Sequence, residues 1–422
     1  FYIERKMIPE KYSKVKLLGE KSMRIEQKIT RIYPDKNLFS HVVGQIDNDN
    51  NGISGIEKSF DKNLKDGRGN LMLTLDKDLQ FIIRNELLNA QKIFNNVGGA
   101  GILMNINNGE ILSLVSVPDF NLNDREDISN VNYINRATKG VYELGSVFKS
   151  FTIAAGLNYD LISPKDMFLN LEKKMKCGGR TISEYDENLP KDLSVEDILV
   201  YSSNIGSVKI GQIIGQEKLK QFLETIGILN QLSFDIEEIG KPIPFKWREC
   251  KLKTVSYGHG ITTTPIQLAK GYAILANGGY DIKPTLIKKE FRNFKKKRIL
   301  NKNLSSQMIP IFRKVVEKGT ATLSDVEGYE VGGKTGTAQI VENGAYTNKK
   351  INTFASIFPS SDPEYVLIVL LEDTKLSKDY LYKYRNKTGS YKGTPFNTAG
   401  WTSVEISGKI IDKIGPILAT KY

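Results

Sequence analysis

Ser146 and Lys149, in YELGSVFKS (142–150), set a hydroxyl and an amine three residues apart. In a helix that spacing puts both side chains on one face. Near a helix start the macrodipole disfavours a further positive charge. Desolvation of the ammonium acts in the same direction, and a second nearby cation would add to both. A neutral Lys149 can then take the Ser146 proton, which yields an activated nucleophile without histidine. Histidine is scarce in any case, since His41 and His259 are the two in the chain. Taken singly, the pair also fits a helix cap beside a lysine that snorkels to the surface.

Two further segments carry chemistry. YSSNIGS holds Ser202, Ser203 and Asn204 directly after a short helical pattern. VGGKTGTAQ holds Lys334, Thr335, Gly336 and Thr337 inside a β-rich run. Lysine and two threonine hydroxyls at alternating strand positions are expected to face one groove. Gly336 is expected to leave the strand edge bare enough for a substrate backbone to lie along it. Alone, the first segment is a polar helix terminus and the second a glycine-containing hairpin edge.

These residues need a frame. LTLDKDLQFIIRNELLNAQKIF reads as a helix capped by Thr74, with Leu79, Ile83, Leu87, Ala90 and Phe94 at helical spacing. GAGILMNINNGEILSLVSVP reads as two antiparallel strands, with Asn108-Gly109 supplying both positive φ angles of a tight turn. VFKSFTIAAGL is apolar nearly all round and belongs inside a domain. SVEDILVY starts with Ser194 as N-cap and Asp197 three places on. In TPIQLAKGYAILANGG, Thr264 caps, Pro265 takes the first helical position and Gln267 reaches back. YEVGGKTGTAQIV, INTFASIFP and YVLIVLLED are strands, the last apolar enough for a sheet centre. A polar insertion at about 374–395 precedes a last helix, SVEISGKIIDKIG. The order predicts an α+β fold: an antiparallel sheet covered by helices, with a mainly helical subdomain.

The chain has 422 residues, 40% hydrophobic and 26% charged, enough for a large core. The net charge of +12 suits an anionic membrane surface or wall polymer as well as a nucleic acid. The basic residues are dispersed, and the cluster Lys295-Lys296-Lys297-Arg298 reads as a solvated loop. Cys177 and Cys250 lack zinc or dithiol spacing. They could pair in an oxidising compartment, but two separate buried thiols are the favoured reading. No stretch is long and apolar enough to span a bilayer. The opening FYIERKMIPEKYSK reads like the interior of something longer, so we expect an anchor or signal upstream.

Ser-x-x-Lys, Ser-x-Asn and Lys-Thr-Gly in that order form the signature of penicillin-binding proteins and related serine β-lactam-interacting enzymes. The resemblance extends through RIYPDKNLFSHVVGQIDNDNNGISGIEKSFD, LTLDKDLQ, NRATKGVYELGSVFKSFTIAAGL, SYGHGITTTPIQLAKGYAILANGG and VGGKTGTAQ. These look like class B penicillin-binding proteins. RTISEYDENLPKDLSVEDILVYSSNIG and TAGWTSVEISGKII are most similar to the cell-division, or septal, penicillin-binding protein 3 branch. Leu144 departs from the proline that the family often places there.

The resemblance implies a transpeptidase domain at 68–422, preceded at 1–67 by the end of an N-terminal pedestal. It implies a peptidoglycan D,D-transpeptidase with an acyl-serine intermediate. Ser146 would be acylated, Lys149 would be the base, Ser202 the proton relay, Asn204 the holder of the substrate amide and Lys334 the local cation. Thr335 and Thr337 would bind the terminal carboxylate, and the N–H groups of Ser146 and Thr337 would form the oxyanion hole. Ser203, Gly336 and Tyr257 are further groove candidates, and His259 is expected to be structural or groove-lining. Expected partners are stem peptides (D-Ala-D-Ala donor and amine acceptor), β-lactams as covalent inhibitors and cell-division membrane proteins, with no cofactor, metal or nucleic acid. A single membrane helix upstream would leave the catalytic domain on the periplasmic side of the inner membrane. A β-lactamase or D,D-carboxypeptidase, and a β-lactam sensor or scaffold, are the competing functions.

Overall fold

The structure, a computed structural model, describes residues 3, 7, 9–26, 31–67, 70–124, 131–288, 297–342 and 344–421. Contact density divides the chain into two units, Phe1–Tyr33 and Pro34–Tyr422. Among its described residues the first contains one helix, α1 (Pro9–Leu17). In the second, residues 34–67 form three short helices, α2 (Ser40–Val43), α3 (Gly55–Ser59) and α4 (Asp61–Lys65). Val42 and Ile56 are buried with the main core, so this stretch packs in one unit with the sheet and helices of the second unit. The expected boundary at 67/68 adjoins residues 68–69, which lie outside the described residues.

Helix α5 (Lys77–Phe94) buries Leu79, Ile83, Leu87, Ala90 and Phe94, the stripe its spacing predicts. Its cap is Asp76, whose carboxylate accepts from the N–H of Asp78 at 2.9 Å and of Leu79 at 3.1 Å. Thr74 is not the cap, because its hydroxyl donates to the carbonyl of Ile111 at 2.7 Å, which stitches the approach to a strand.

Strands β1 (Gly98–Asn105) and β2 (Ile111–Val117) pair antiparallel as expected. The turn differs: Gly109 has φ 76°, whereas Asn108 is not in the left-handed region. The connection spans 106–110, and the Asn105 side chain accepts from the N–H groups of Asn107 and Asn108 at 2.9 and 3.2 Å. A longer loop closed by side chains removes the need for a second positive φ.

A helical block comes next in the chain. It comprises α6 (Lys149–Asn158), α7 (Val195–Val200), α8 (Asn204–Ile214), α9 (Gln216–Thr225) and α10 (Glu249–Val255). It carries two small ribbons, β3 (Met167–Phe168) with β6 (Leu193–Ser194), and β4 (Lys174–Cys177) with β5 (Arg180–Ser183). Ser194 caps α7 as expected. Helix α11 (Pro265–Ala276) starts at the Thr264 cap, where the Gln267 N–H meets the Thr264 hydroxyl. The Gln267 side chain reaches back as expected, its carbonyl accepting from the Thr264 hydroxyl at 3.0 Å while its NH2 donates to the Asn230 carbonyl at 2.5 Å. Helix α12 (Leu304–Glu317) leads into the remaining strands.

Strands β7 (Gly332–Glu342), β8 (Ala345–Phe358) and β9 (Tyr365–Glu372) complete a five-stranded antiparallel sheet in the order β2-β1-β9-β8-β7. Strand β9 is buried from Tyr365 through Leu371, which explains why YVLIVLL lacks alternation: it is the central strand, covered on both faces. Helices α5 and α13 (Ser403–Lys421) pack against the sheet, as do α11 and α12. Strand β7 lies at the edge, which leaves one of its sides without a strand partner among the described residues.

The 374–395 insertion forms a ribbon, β10 (Leu381–Lys383) with β11 (Ser390–Lys392). Tyr382 is fully buried and donates to the Trp401 carbonyl at 2.8 Å. Arg385 grips the buried Glu405 of α13 through both guanidinium nitrogens at 3.0 and 3.1 Å.

Two expectations need correction or restriction. Cys177 and Cys250 are joined in a disulfide, with Cα atoms 5.4 Å apart, and are not separate thiols. The β4–β5 ribbon and α10 both pack on α8, which brings together cysteines 73 residues apart. In the basic cluster, Lys297 is exposed and Arg298 lies over the Tyr280 ring at 4.2 Å; Lys295 and Lys296 lie outside the described residues. Among the described residues no helix is long and apolar enough to cross a membrane.

Candidate active site

Ser146 lies in a 3-10 turn, Gly145–Phe148, and Lys149 is the first residue of α6. The turn is tight because Gly145 has φ 61° and backs onto β7: a Cβ there would meet the Thr337 carbonyl at 2.5 Å. Behind it, the Tyr272 hydroxyl donates to the Val147 carbonyl at 2.9 Å and pairs with Ser150 at 2.8 Å. Ser146 is half-buried, whereas Lys149 is 1% exposed.

The Lys149 ammonium nitrogen donates to the Ser202 carbonyl at 2.5 Å and lies 3.0 Å from the Ser202 hydroxyl. Lys334 reaches the same hydroxyl at 2.9 Å from the other side. Two buried amines thus converge on one serine oxygen. Burial is the main cause that lowers Lys149 to about 7, opposed by the negative charge of Glu184. Lys334 is pushed well down by burial first and by the charge of Lys149 second. Neither amine has a carboxylate within ion-pair distance among the described residues, so an anion entering the site would find two unneutralised donors.

Ser202 occupies a positive φ of 61° between α7 and α8, which turns its hydroxyl toward the lysines. Asn204 is half-exposed, and its amide donates to the Ser183 carbonyl at 2.8 Å. Ser203 differs from the groove expectation. It is fully buried, caps α8 by accepting from the Gly206 N–H at 2.9 Å, and donates to Glu184 at 2.5 Å.

On β7, Thr335 and Thr337 share one face and Lys334 takes the other, since side chains alternate along a strand. The expectation of three alternating groups on one face therefore holds for the threonines alone; the long lysine reaches the site by curling back to the Thr335 carbonyl at 3.1 Å. The Thr335 hydroxyl pairs with Thr320 at 2.7 Å. The Thr337 hydroxyl donates to Asn352 at 3.0 Å and accepts from the Ala399 N–H at 2.9 Å. Gly336 does not leave bare space: a Cβ there would meet the Leu144 carbonyl at 2.1 Å and the Val147 amide nitrogen at 3.1 Å. Its lack of a side chain lets the Ser146 turn lie directly on β7.

Tyr257 and His259 sit in the loop after α10, whose Gly258 packs on the Gly145 carbonyl. The Tyr257 and His259 rings stack 5.9 Å apart, and burial raises the Tyr257 phenol to about 12. His259 meets the Tyr346 hydroxyl at 3.2 Å and Glu143 at 3.8 Å. Its ring therefore braces the loop against the Ser146 turn and the β7–β8 hairpin. His41 is remote in role: it is half-buried on the Asn132 carbonyl at 2.7 Å, and desolvation lowers it to about 4.

Glu184, Glu143 and Thr320 escaped the sequence reading. Glu143 lies three residues before Ser146 in YELGS, so proximity was a usable signal. Glu184 and Thr320 had none, because their partners are distant in the chain.

Residues 99–394 match the family model described as the penicillin binding protein transpeptidase domain. The chain is 29% identical over 432 residues to the probable peptidoglycan D,D-transpeptidase FtsI of Caulobacter vibrioides, covering 98% of this chain and 71% of that one. It is 30% identical over 424 residues to the stage V sporulation protein D of Bacillus subtilis, covering 88% of this chain and 64% of that one. The crystal structure of penicillin binding protein 3 from Mycobacterium tuberculosis in its apo form superposes with a TM-score of 0.76 at 23% identity, over 92% of this chain and 91% of that one. That likeness establishes the fold.

Proposed function

Since this chain belongs to the penicillin-binding protein transpeptidase family, we propose that it is a serine-type peptidoglycan D,D-transpeptidase acting in septal wall synthesis. The observation that carries this reading is that Lys149, three residues after Ser146, and Lys334 converge on the Ser202 hydroxyl.

Lys149, neutral in part at pH 7, removes the Ser146 proton, and the Ser146 oxygen attacks the carbonyl carbon of the penultimate D-Ala of a stem peptide. The N–H groups of Ser146 and Thr337 hold the developing oxyanion, a contact worth about 3 kcal/mol of barrier. The C–N bond breaks, and the proton passes through the Ser202 hydroxyl to the departing D-Ala amine. Lys334, Thr335 and Thr337 receive the terminal carboxylate, which supplies the counter-charge that the buried lysine lacks. Asn204 holds the donor amide. The peptide runs along the open side of β7, as an added strand would. An amine of a neighbouring stem then attacks the acyl ester, forms the cross-link amide and frees Ser146. A β-lactam enters the same path, but its leaving nitrogen stays tethered, so the acyl-enzyme persists.

Residues 68–422 would be the catalytic domain and 1–67 the end of a pedestal, with a membrane helix upstream that keeps the site on the periplasmic side. Cell-division membrane proteins would be its partners. The Cys177–Cys250 disulfide is consistent with an oxidising compartment.

Intact mass spectrometry after benzylpenicillin, with mapping of the modified peptide, tests the reading. A stable adduct on Ser146, lost in Ser146→Ala, is expected. Rapid turnover of the drug would assign the chain to the hydrolases. Cells that build cross-linked septa with only Ser146→Ala would favour a scaffold.

A further inference from the structure

The β4–β5 ribbon ends in Ser183 and Glu184, and neither takes a chemical step in the transpeptidation. Glu184 is buried, and the hydrogen bonds of its carboxylate go to one place. Its Oε1 accepts from the Ser203 hydroxyl at 2.5 Å and the Ile205 N–H at 3.0 Å; its Oε2 accepts from the Asn204 N–H at 2.7 Å. The neighbouring Ser183 carbonyl accepts from the Asn204 side chain at 2.8 Å. A carboxylate from a distant ribbon thus binds the first turn of α8, where Ser202 and Asn204 are presented. The same ribbon is fastened covalently: Cys177 of β4 is bonded to Cys250 of α10, the helix that leads to Tyr257 and the loop behind the nucleophile turn. One disulfide therefore links the two walls that flank Ser146.

We propose that Glu184 is a positioning residue for acyl transfer, holding the Ser202–Asn204 turn and facing the buried Lys149 amine with a negative charge, and that the Cys177–Cys250 disulfide fixes it there. This rests on the transpeptidase reading. Among the described residues, the charged groups facing Lys149 are Glu184, from the ribbon, and Lys334, from β7. A carboxylate favours the protonated amine, so Glu184 holds Lys149 higher than burial alone would leave it. Its removal lets Lys149 lose its proton at lower pH, while Asn204 loses its anchor.

The test is the second-order rate of acylation by benzylpenicillin across pH for wild type, Glu184→Gln, Glu184→Asp and the double variant Cys177→Ser/Cys250→Ser, all in the full chain. In Glu184→Gln one oxygen becomes an NH2 that opposes an N–H donor. We expect the plateau rate to fall about tenfold and the acid limb to move about one unit to lower pH. Glu184→Asp keeps the charge and restores the limb toward wild type. The double variant, and wild type reduced by a phosphine, shift the limb in the same direction by less. An acid limb that stays in place in folded Glu184→Gln overturns the proposal. If that variant does not fold, an unchanged limb in both the double variant and reduced wild type overturns it. Wild type that never takes up the drug defeats the transpeptidase reading instead, so the two failures are distinguishable.

Discussion

The base role proposed for Lys149 depends on where it sits, not on what it is. Its amine has been removed from water and placed beside a second amine, with one serine hydroxyl between them. Acylation should therefore rise as pH passes through about 7, where the ammonium loses its proton, and stopped-flow acylation rates measure this directly. Lys149→Met keeps the bulk and removes the base; its acylation rate should fall by about 10²–10⁴-fold while the melting temperature is retained or raised. The sequence names this residue through Ser-x-x-Lys, since three-residue spacing is a local matter. It does not reveal Glu184, the carboxylate that opposes the effect of burial, because no local pattern joins residue 184 to residues 203–205. Ser203 shows the converse error: it lies inside a recognisable motif, yet its hydroxyl serves a helix cap.

Elements bring the parts together through two close approaches of backbone. Gly336 of β7 lies against the Leu144 carbonyl, and Gly145 lies against that of Thr337, so the nucleophile turn and the edge strand nearly touch. Gly336→Ala puts a methyl group into backbone that cannot rotate away. The turn must shift, and we expect acylation to fall about 10²-fold, because displacement of a reacting group by about 1 Å has that effect. Acylation kinetics alongside a melting curve would check this; a folded variant with the wild-type rate would show that the approach is dispensable. The strands and the amphipathic helix were legible, as periods of two and 3.6 are written in the chain. The helix cap was misplaced by two residues because Thr74 and Asp76 are both acceptable caps. A strand contact to Ile111 decides between them.

At the scale of the molecule, burying two lysines makes stability depend on pH. Below about 7 the folded chain must hold Lys149 charged without water; between there and the ordinary lysine value of about 10.4, the unfolded chain binds the extra proton. Stability should therefore rise with pH across that window. Differential scanning calorimetry should show the melting temperature climbing in wild type and climbing less in Lys149→Met. The insertion at 374–395 is fastened to α13 by Arg385 and Glu405, a buried bidentate pair. Removing the arginine leaves the buried Glu405 carboxylate with the Tyr380 hydroxyl at 2.7 Å and Lys409 at 3.8 Å, and Arg385→Ala should cost about 3 kcal/mol in urea unfolding. The amino-acid sequence by itself determined the order of the three chemical segments, the α+β class and the central place of YVLIVLL, for each depends on neighbours within a few residues. Tertiary structure alone decided that Cys177 meets Cys250, that Gly336 seats the nucleophile turn, and that Glu184 anchors α8. Those contacts join residues tens to hundreds of positions apart, and packing, which no local periodicity encodes, selects among the many pairings such distances allow.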